Sequence, residues 1–125
     1  MAISVVKRAI GGTDGIWINT SGGTVSATGT TIHTCDPQST AAHDSLYIYA
    51  NNTASGAIPF RLTWGYTANL MIFSVPAATY YHPIVEGLEV WGIAAASGTV
   101  IRAGHGSATQ SSVQVFGHYT RYTET

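Results

Sequence analysis

Apolar and polar residues alternate with period two along most of this 125-residue chain, and that alternation constrains its fold more than any single motif does. Over 44–51, Leu46, Ile48 and Ala50 fall on one face, and Ser45, Tyr47 and Tyr49 on the other. Over 57–65, Ile58, Phe60, Leu62 and Trp64 alternate with Pro59, Arg61 and Thr63. Near the end, Val113 and Val115 alternate with Gln114, Phe116 and His118, up to Tyr122. Turn signals separate the runs: Asn51-Asn52, Ser55-Gly56, Gly65, Pro76, Pro83, Gly87, Ser97-Gly98 and Gly104-His105-Gly106. The pattern predicts strands at 3–10, 15–20, 30–34, 44–51, 57–65, 69–75, 79–85, 88–95, 98–103 and 112–122. Glu86-Gly87-Leu88-Glu89 reads as a turn leading into a strand, and Gly104-His105-Gly106-Ser107 as a hairpin loop.

Composition agrees with strands. The chain has 11 Ile, 9 Val and 17 Thr, but only 4 Leu and one Lys, which is not the make-up of a long helix. No helix is expected, since Thr79, Tyr80, Tyr81 and Pro83 follow the only candidate start at Pro76. The expected fold is an all-β antiparallel sandwich, jelly-roll-like, over residues 30–125. Residues 1–29, dense in Gly, Thr and Ser, are expected to form an N-terminal extended arm or an edge hairpin ahead of it.

Charged residues make up only 9% of the chain, against roughly 25% in an average domain. The net charge is −1, and only Lys7 and Arg8 are adjacent basic residues, so nucleic-acid binding is not expected. No apolar run reaches the ~20 residues of a membrane span. The basic pair follows the short apolar stretch at the N-terminus rather than preceding it, so no export signal is read there. A lone cysteine, Cys35, excludes an internal disulfide framework.

Candidate chemistry is thin. His33 and Cys35 share a strand face, and His43-Asp44 follows. A closed zinc site needs about four ligands, and the chain has neither CxxC nor HxxxH. The histidines are therefore read as surface or interface residues, with a trimer axis gathering His105 or His118 as the surviving metal variant. Cys35 with His33 or His43 lacks the third group of a catalytic arrangement, and is read as a buried thiol. Glu86 and Glu89 are read as a solvated turn rather than a catalytic acid pair. No enzyme activity and no cofactor are expected.

The tyrosines carry more weight. Tyr47 and Tyr49 lie on the face opposite Leu46 and Ile48, and aromatic residues are enriched at interfaces and sugar platforms. With so few charges available for a polar surface, an interface is favoured over simple cross-strand pairing.

Several segments carry a family likeness: Thr30-Thr31-Ile32-His33-Thr34, Ser45-Leu46-Tyr47-Ile48-Tyr49-Ala50-Asn51, Ala57 to Gly65, Val75-Pro76 to Pro83-Ile84, Gly87-Leu88-Glu89-Val90 and Val113 to Tyr122. Together they resemble small β-sandwich virion proteins of tailed bacteriophages, over roughly three-quarters of the chain; the first 30 residues do not match. The resemblance implies a structural protein without catalytic residues. Such proteins decorate or cement capsids, or sit in tails and fibres, often as trimers.

The expectation is a capsid decoration or cement protein, made in the host bacterial cytoplasm and carried on the capsid exterior. Its partners would be the major capsid protein and like subunits, a homotrimer foremost, with no nucleic acid or membrane. Interface residues would be Ile3, Val5, Lys7 and Arg8 on the arm, and Tyr47, Tyr49, Tyr119 and Tyr122 on the strands. A tail, neck or fibre component is the first alternative. A carbohydrate-binding module using Tyr47, Tyr49, Trp64 or Trp91 is the alternative from another class.

Overall fold

The computed structural model describes residues 3–10, 18–19, 30–35, 42–64, 66–91, 99–105 and 113–124. Among them there is no α-helix, and the strands are all antiparallel. In chain order they are β1 (Ile3–Ala9), β2 (Ile18–Asn19), β3 (Thr30–Cys35), β4 (Ala42–Asn52), β5 (Ile58–Trp64), β6 (Tyr66–Val75), β7 (Thr79–Trp91), β8 (Thr99–His105) and β9 (Val113–Glu124). One sheet runs β1-β9-β4-β7, with the short β2 also paired to β9. The other runs β3-β8-β5-β6. No helix among the described residues is long and apolar enough to cross a membrane.

Alternation decides what meets between the sheets. The first sheet contributes Leu46, Ile48 and Ala50 from β4, Ile84 and Val90 from β7, and Val113 and Val115 from β9. From the second come Ile32, Phe60, Leu62, Val75 and Ile101. These side chains form one buried cluster, so the architecture is sandwich-like. Pro59 lies in an inner strand but just before β8 begins to pair at Phe60, so its missing N–H leaves no gap in the β5–β8 ladder.

Several expectations change. The predicted strands at 79–85 and 88–95 are one strand, β7, and Glu86 to Glu89 is not a turn. The register steps from Leu46↔Leu88 to Tyr47↔Glu86, leaving Gly87 as the extra residue of a bulge at φ 95°. Only glycine takes that conformation without strain, so the feature that reads as a turn is a kink inside a strand. Gly104 and His105 likewise belong to β8, with His105 fully buried, rather than to a loop. Finally, Ile3–Ala9 is paired residue by residue with β9, from Ile3↔Glu124 to Ala9↔His118. The first part of the expected arm is thus an edge strand of the first sheet. Residues 11–17 and 20–29 of it lie outside the described residues.

Asn51 and Asn52 end β4 rather than forming a turn. Asn52 is fully buried, and its Nδ2 donates to the carbonyls of Gly56 (3.0 Å), Val75 (3.0 Å) and Pro76 (3.1 Å). Its Oδ1 accepts from the Ala54 N–H at 2.9 Å. One side chain thereby ties the β4–β5 connection to the β6–β7 turn. Asn52→Asp puts an acceptor-only carboxylate against three carbonyl oxygens. The expected loss is about 3 kcal/mol of unfolding free energy, read from the denaturant midpoint, with Asn52→Ala losing somewhat less.

Candidate functional site

The outer face of the first sheet follows from the same parity. With Leu46, Ile48 and Ala50 inward, β4 turns His43, Ser45, Tyr47, Tyr49 and Asn51 outward. With Val113 and Val115 inward, β9 turns Gln114, Phe116, His118, Thr120 and Tyr122 outward. The register sets His43 opposite Tyr122, Tyr47 opposite His118 and Tyr49 opposite Phe116. His43 stacks on Tyr122 with centroids 4.9 Å apart, and Tyr47 on His118 at 4.8 Å and 10° between planes. Tyr49 meets Phe116 at 5.6 Å. The result is a row of rings along two neighbouring strands, half-buried by mutual contact.

Tyr81 of β7 extends the row. Its ring lies 4.7 Å from Tyr49 and 5.1 Å from Phe116, yet the residue is 62% exposed. Its backbone sits at φ 62°, a costly conformation for a bulky residue, and the Tyr81 N–H donates to Asn51 Oδ1 at 3.0 Å. Backbone strain is thus held in place beneath an exposed aromatic ring.

Glu86, Glu89 and Lys7 are charged side chains on this face. Glu86 accepts from the Tyr49 hydroxyl at 3.3 Å, and His43 Nε2 lies 3.5 Å from Glu89. Burial, then the nearby Glu86 carboxylate, pushes the Tyr49 phenol up. Burial, and after it Lys7, pushes the His118 imidazole down. The lowered His118 imidazole favours its uncharged form, which suits an apolar or hydrogen-bonding partner at that ring.

Five of the eight sequence-derived interface residues meet here. Tyr47, Tyr49 and Tyr122 form the row, while Val5 opposite Tyr122 and Lys7 opposite Thr120 flank it on β1. Val5 is 57% exposed. Ile3 has the same parity, at the start of β1 opposite Glu124. Arg8 and Tyr119 do not belong: they pair with each other on the opposite face of the sheet. Tyr119 turns inward against the core, 4.3 Å from the His33 ring and 5.2 Å from the Arg121 guanidinium carbon. Three positions separate Tyr119 from Tyr122, so period two alone sends them to opposite faces. Phe116 and Tyr81 are not among the sequence-derived candidates, and His43 and His118 enter there only as histidine candidates, not as parts of an aromatic row. Counting by twos from Tyr122 reaches Phe116 and His118, but no sequence signal places Tyr81. Of the tryptophans weighed for sugar binding, Trp64 lies on β5, in the other sheet.

The His33, Cys35 and Asp44 group resolves differently. A bulge at Ile32 lets both Ile32 and His33 face inward. His33 Nε2 lies 2.6 Å from Asp44 Oδ2. Arg121 donates to the same carboxylate through Nε at 2.8 Å and Nη2 at 2.9 Å, and reaches the Thr34 carbonyl at 3.3 Å. Burial pushes the Asp44 carboxyl up, but the hydrogen bonds from Arg121 and His33 outweigh it and hold it at about 2. The hydrogen bond to Asp44 in turn pushes Arg121 up. Because the ionised carboxylate only accepts, His33 Nε2 carries the donated proton. The Arg121 guanidinium thus pairs with the carboxylate, and the cluster links β3 of one sheet to β4 and β9 of the other. Cys35 is fully buried, and its thiol donates to the Val90 carbonyl at 3.3 Å. Among the described residues, no three His, Cys, Asp or Glu side chains are grouped to hold a metal ion. No protein-family model matches this chain, and neither a curated protein nor a solved structure does.

Proposed function

We propose that this chain is a non-enzymatic structural protein of a bacteriophage virion, a capsid decoration or cement protein that binds the assembled head. The observation that carries the reading is the row of stacked and tilted rings on the outer face of the β1-β9-β4-β7 sheet. Half-buried tyrosines and an exposed Tyr81 make a surface suited to being covered. Among the described residues, the edge of β1 away from β9 has no partner strand, which supports strand addition there. With β2 set aside, we read the strand orders β1-β9-β4-β7 and β3-β8-β5-β6 as a jelly roll, an architecture found in both capsid and lectin domains. That pattern is compatible with the virion reading but does not by itself assign it. In this account the protein is made in the host cytoplasm, assembles as a trimer on the capsid exterior and touches the major capsid protein through the ring row.

The test uses heads stripped of the protein. Tyr49→Ala combined with Tyr81→Ala is expected to weaken head binding about 100-fold, the loss of roughly 3 kcal/mol from two interface aromatics. Unchanged binding by the folded double variant would contradict the reading. Binding to a glycan array, lost in the same variant and without affinity for heads, would move the ring row to carbohydrate recognition. Binding to tails in place of heads would move the protein to a tail or neck position.

A further inference from the structure

Arg61 occupies the middle of β5 between Phe60 and Leu62, both fully buried in the core. Alternation therefore sends its side chain to the outer face of the β3-β8-β5-β6 sheet, away from the core. It is nevertheless only 6% exposed, and its Nε, itself buried, makes no hydrogen bond. No ion pair joins it to an acid among the described residues. Arg102 lies on the same outer face, opposite Thr63 in the β5–β8 register and so diagonal to Arg61. It is half-buried and also lacks an ion pair among the described residues. Directly opposite Arg61 stands Gly104, which puts no side chain between the strands there. Two of the chain's five basic residues thus stand at diagonal positions with no ion-pair partner among the described residues.

A guanidinium stays protonated when buried, so the charge cannot be relieved by losing a proton. A charge held out of water without a partner is costly, and the cost falls when an anion arrives. The guanidinium fork offers parallel N–H donors that match two oxygens of one anionic group. We propose that Arg61 and Arg102 form an oxyanion site on the outer face of this sheet, taking a carboxylate or phosphate group. The site lies on the sheet opposite the ring row and stands independently of the virion reading.

The arginine side-chain N–H resonances of the full chain report on it directly. They are followed during titration with sodium acetate and with inorganic phosphate, each against sodium chloride at matched ionic strength. A saturable shift of the Arg61 side-chain resonance is expected with at least one oxyanion, with a rise in Tm that tracks occupancy. The anion that saturates separates a carboxylate site from a phosphate site. Arg102→Gln is expected to weaken that response about tenfold while leaving Tm in chloride unchanged. Arg61→Met is expected to have a higher Tm in chloride and no oxyanion response. The proposal is overturned by equal, non-saturating shifts in acetate, phosphate and chloride, or by a response that survives Arg61→Met.

Discussion

Gly117→Ala is expected to lower Tm by at least about 10 °C, or to leave no soluble protein. Gly117 stands opposite Ile48, where β9 pairs with the inner strand β4. A Cβ at this position would overlap the Tyr47 carbonyl oxygen, and would lie 3.0 Å from the Tyr47 carbonyl carbon and 3.1 Å from Ile48 Cα. All three are backbone atoms, so no side-chain rotation relieves the overlap. The strands would have to part at the centre of a ladder running from Ala42↔Thr123 to Asn52↔Val113, which also aligns the ring row. A cost of ~3 kcal/mol or more is large against the ~5–15 kcal/mol total stability of a domain. Gly56 is the control: a Cβ there meets nothing within 4 Å, and Gly56→Ala should stay within about 0.5 kcal/mol of the parent. Equal Tm values for the two variants would show that the β4–β9 approach is looser than described.

The second large effect concerns the buried carboxylate. Arg121→Met is expected to destabilise the fold by about 3–5 kcal/mol, because it leaves the fully buried Asp44 facing His33 alone. The parent should also show a specific acid sensitivity. Asp44 is held at about 2 in the folded chain, against 3.8 for an ordinary carboxyl. As pH falls through about 4, the unfolded chain takes up a proton that the folded chain still refuses. Stability therefore declines between about pH 4 and pH 2, by roughly 2 kcal/mol in total, and the contribution is fully present at neutral pH. Urea unfolding across this range measures the slope, and Asp44→Asn should flatten it. Titration of the Asp44 carboxyl by NMR in the parent checks the same point without a variant. A midpoint near 4 would refute the account of this cluster.

What the sequence makes legible here is local, and what it hides depends on distant partners. The parity of Leu46, Tyr47, Ile48 and Tyr49 can be read from four letters, and it correctly separates core from outer face. Gly87 misleads because a glycine between glutamates has the composition of a turn, whereas its positive φ serves a bulge within β7. Asp44 and Arg121 are separated by 77 positions, and no local pattern announces that they meet. His33 and Asp44 are closer in sequence and were weighed together as candidate ligands, but the arginine that completes the group comes from another strand. Tyr81 joins the ring row only because Asn51 holds its backbone at positive φ, a tertiary effect that period two does not encode. Strand order is hidden in the same way. It depends on which edges meet after collapse, and β1 reaches β9 across nearly the whole chain.

The rings on the outer face of the β1-β9-β4-β7 sheet are the surface that an assembly would cover, with Glu86 and Glu89 against them and Lys7 at their flank. The most direct measurement is an electron cryomicroscopy map of purified virions together with their protein composition. The account predicts the chain at symmetric positions on the head exterior, in threes, with Tyr49, Tyr81 and Phe116 covered by a neighbouring subunit or the capsid. Its absence from virions, or its presence with that face turned to solvent, would contradict it.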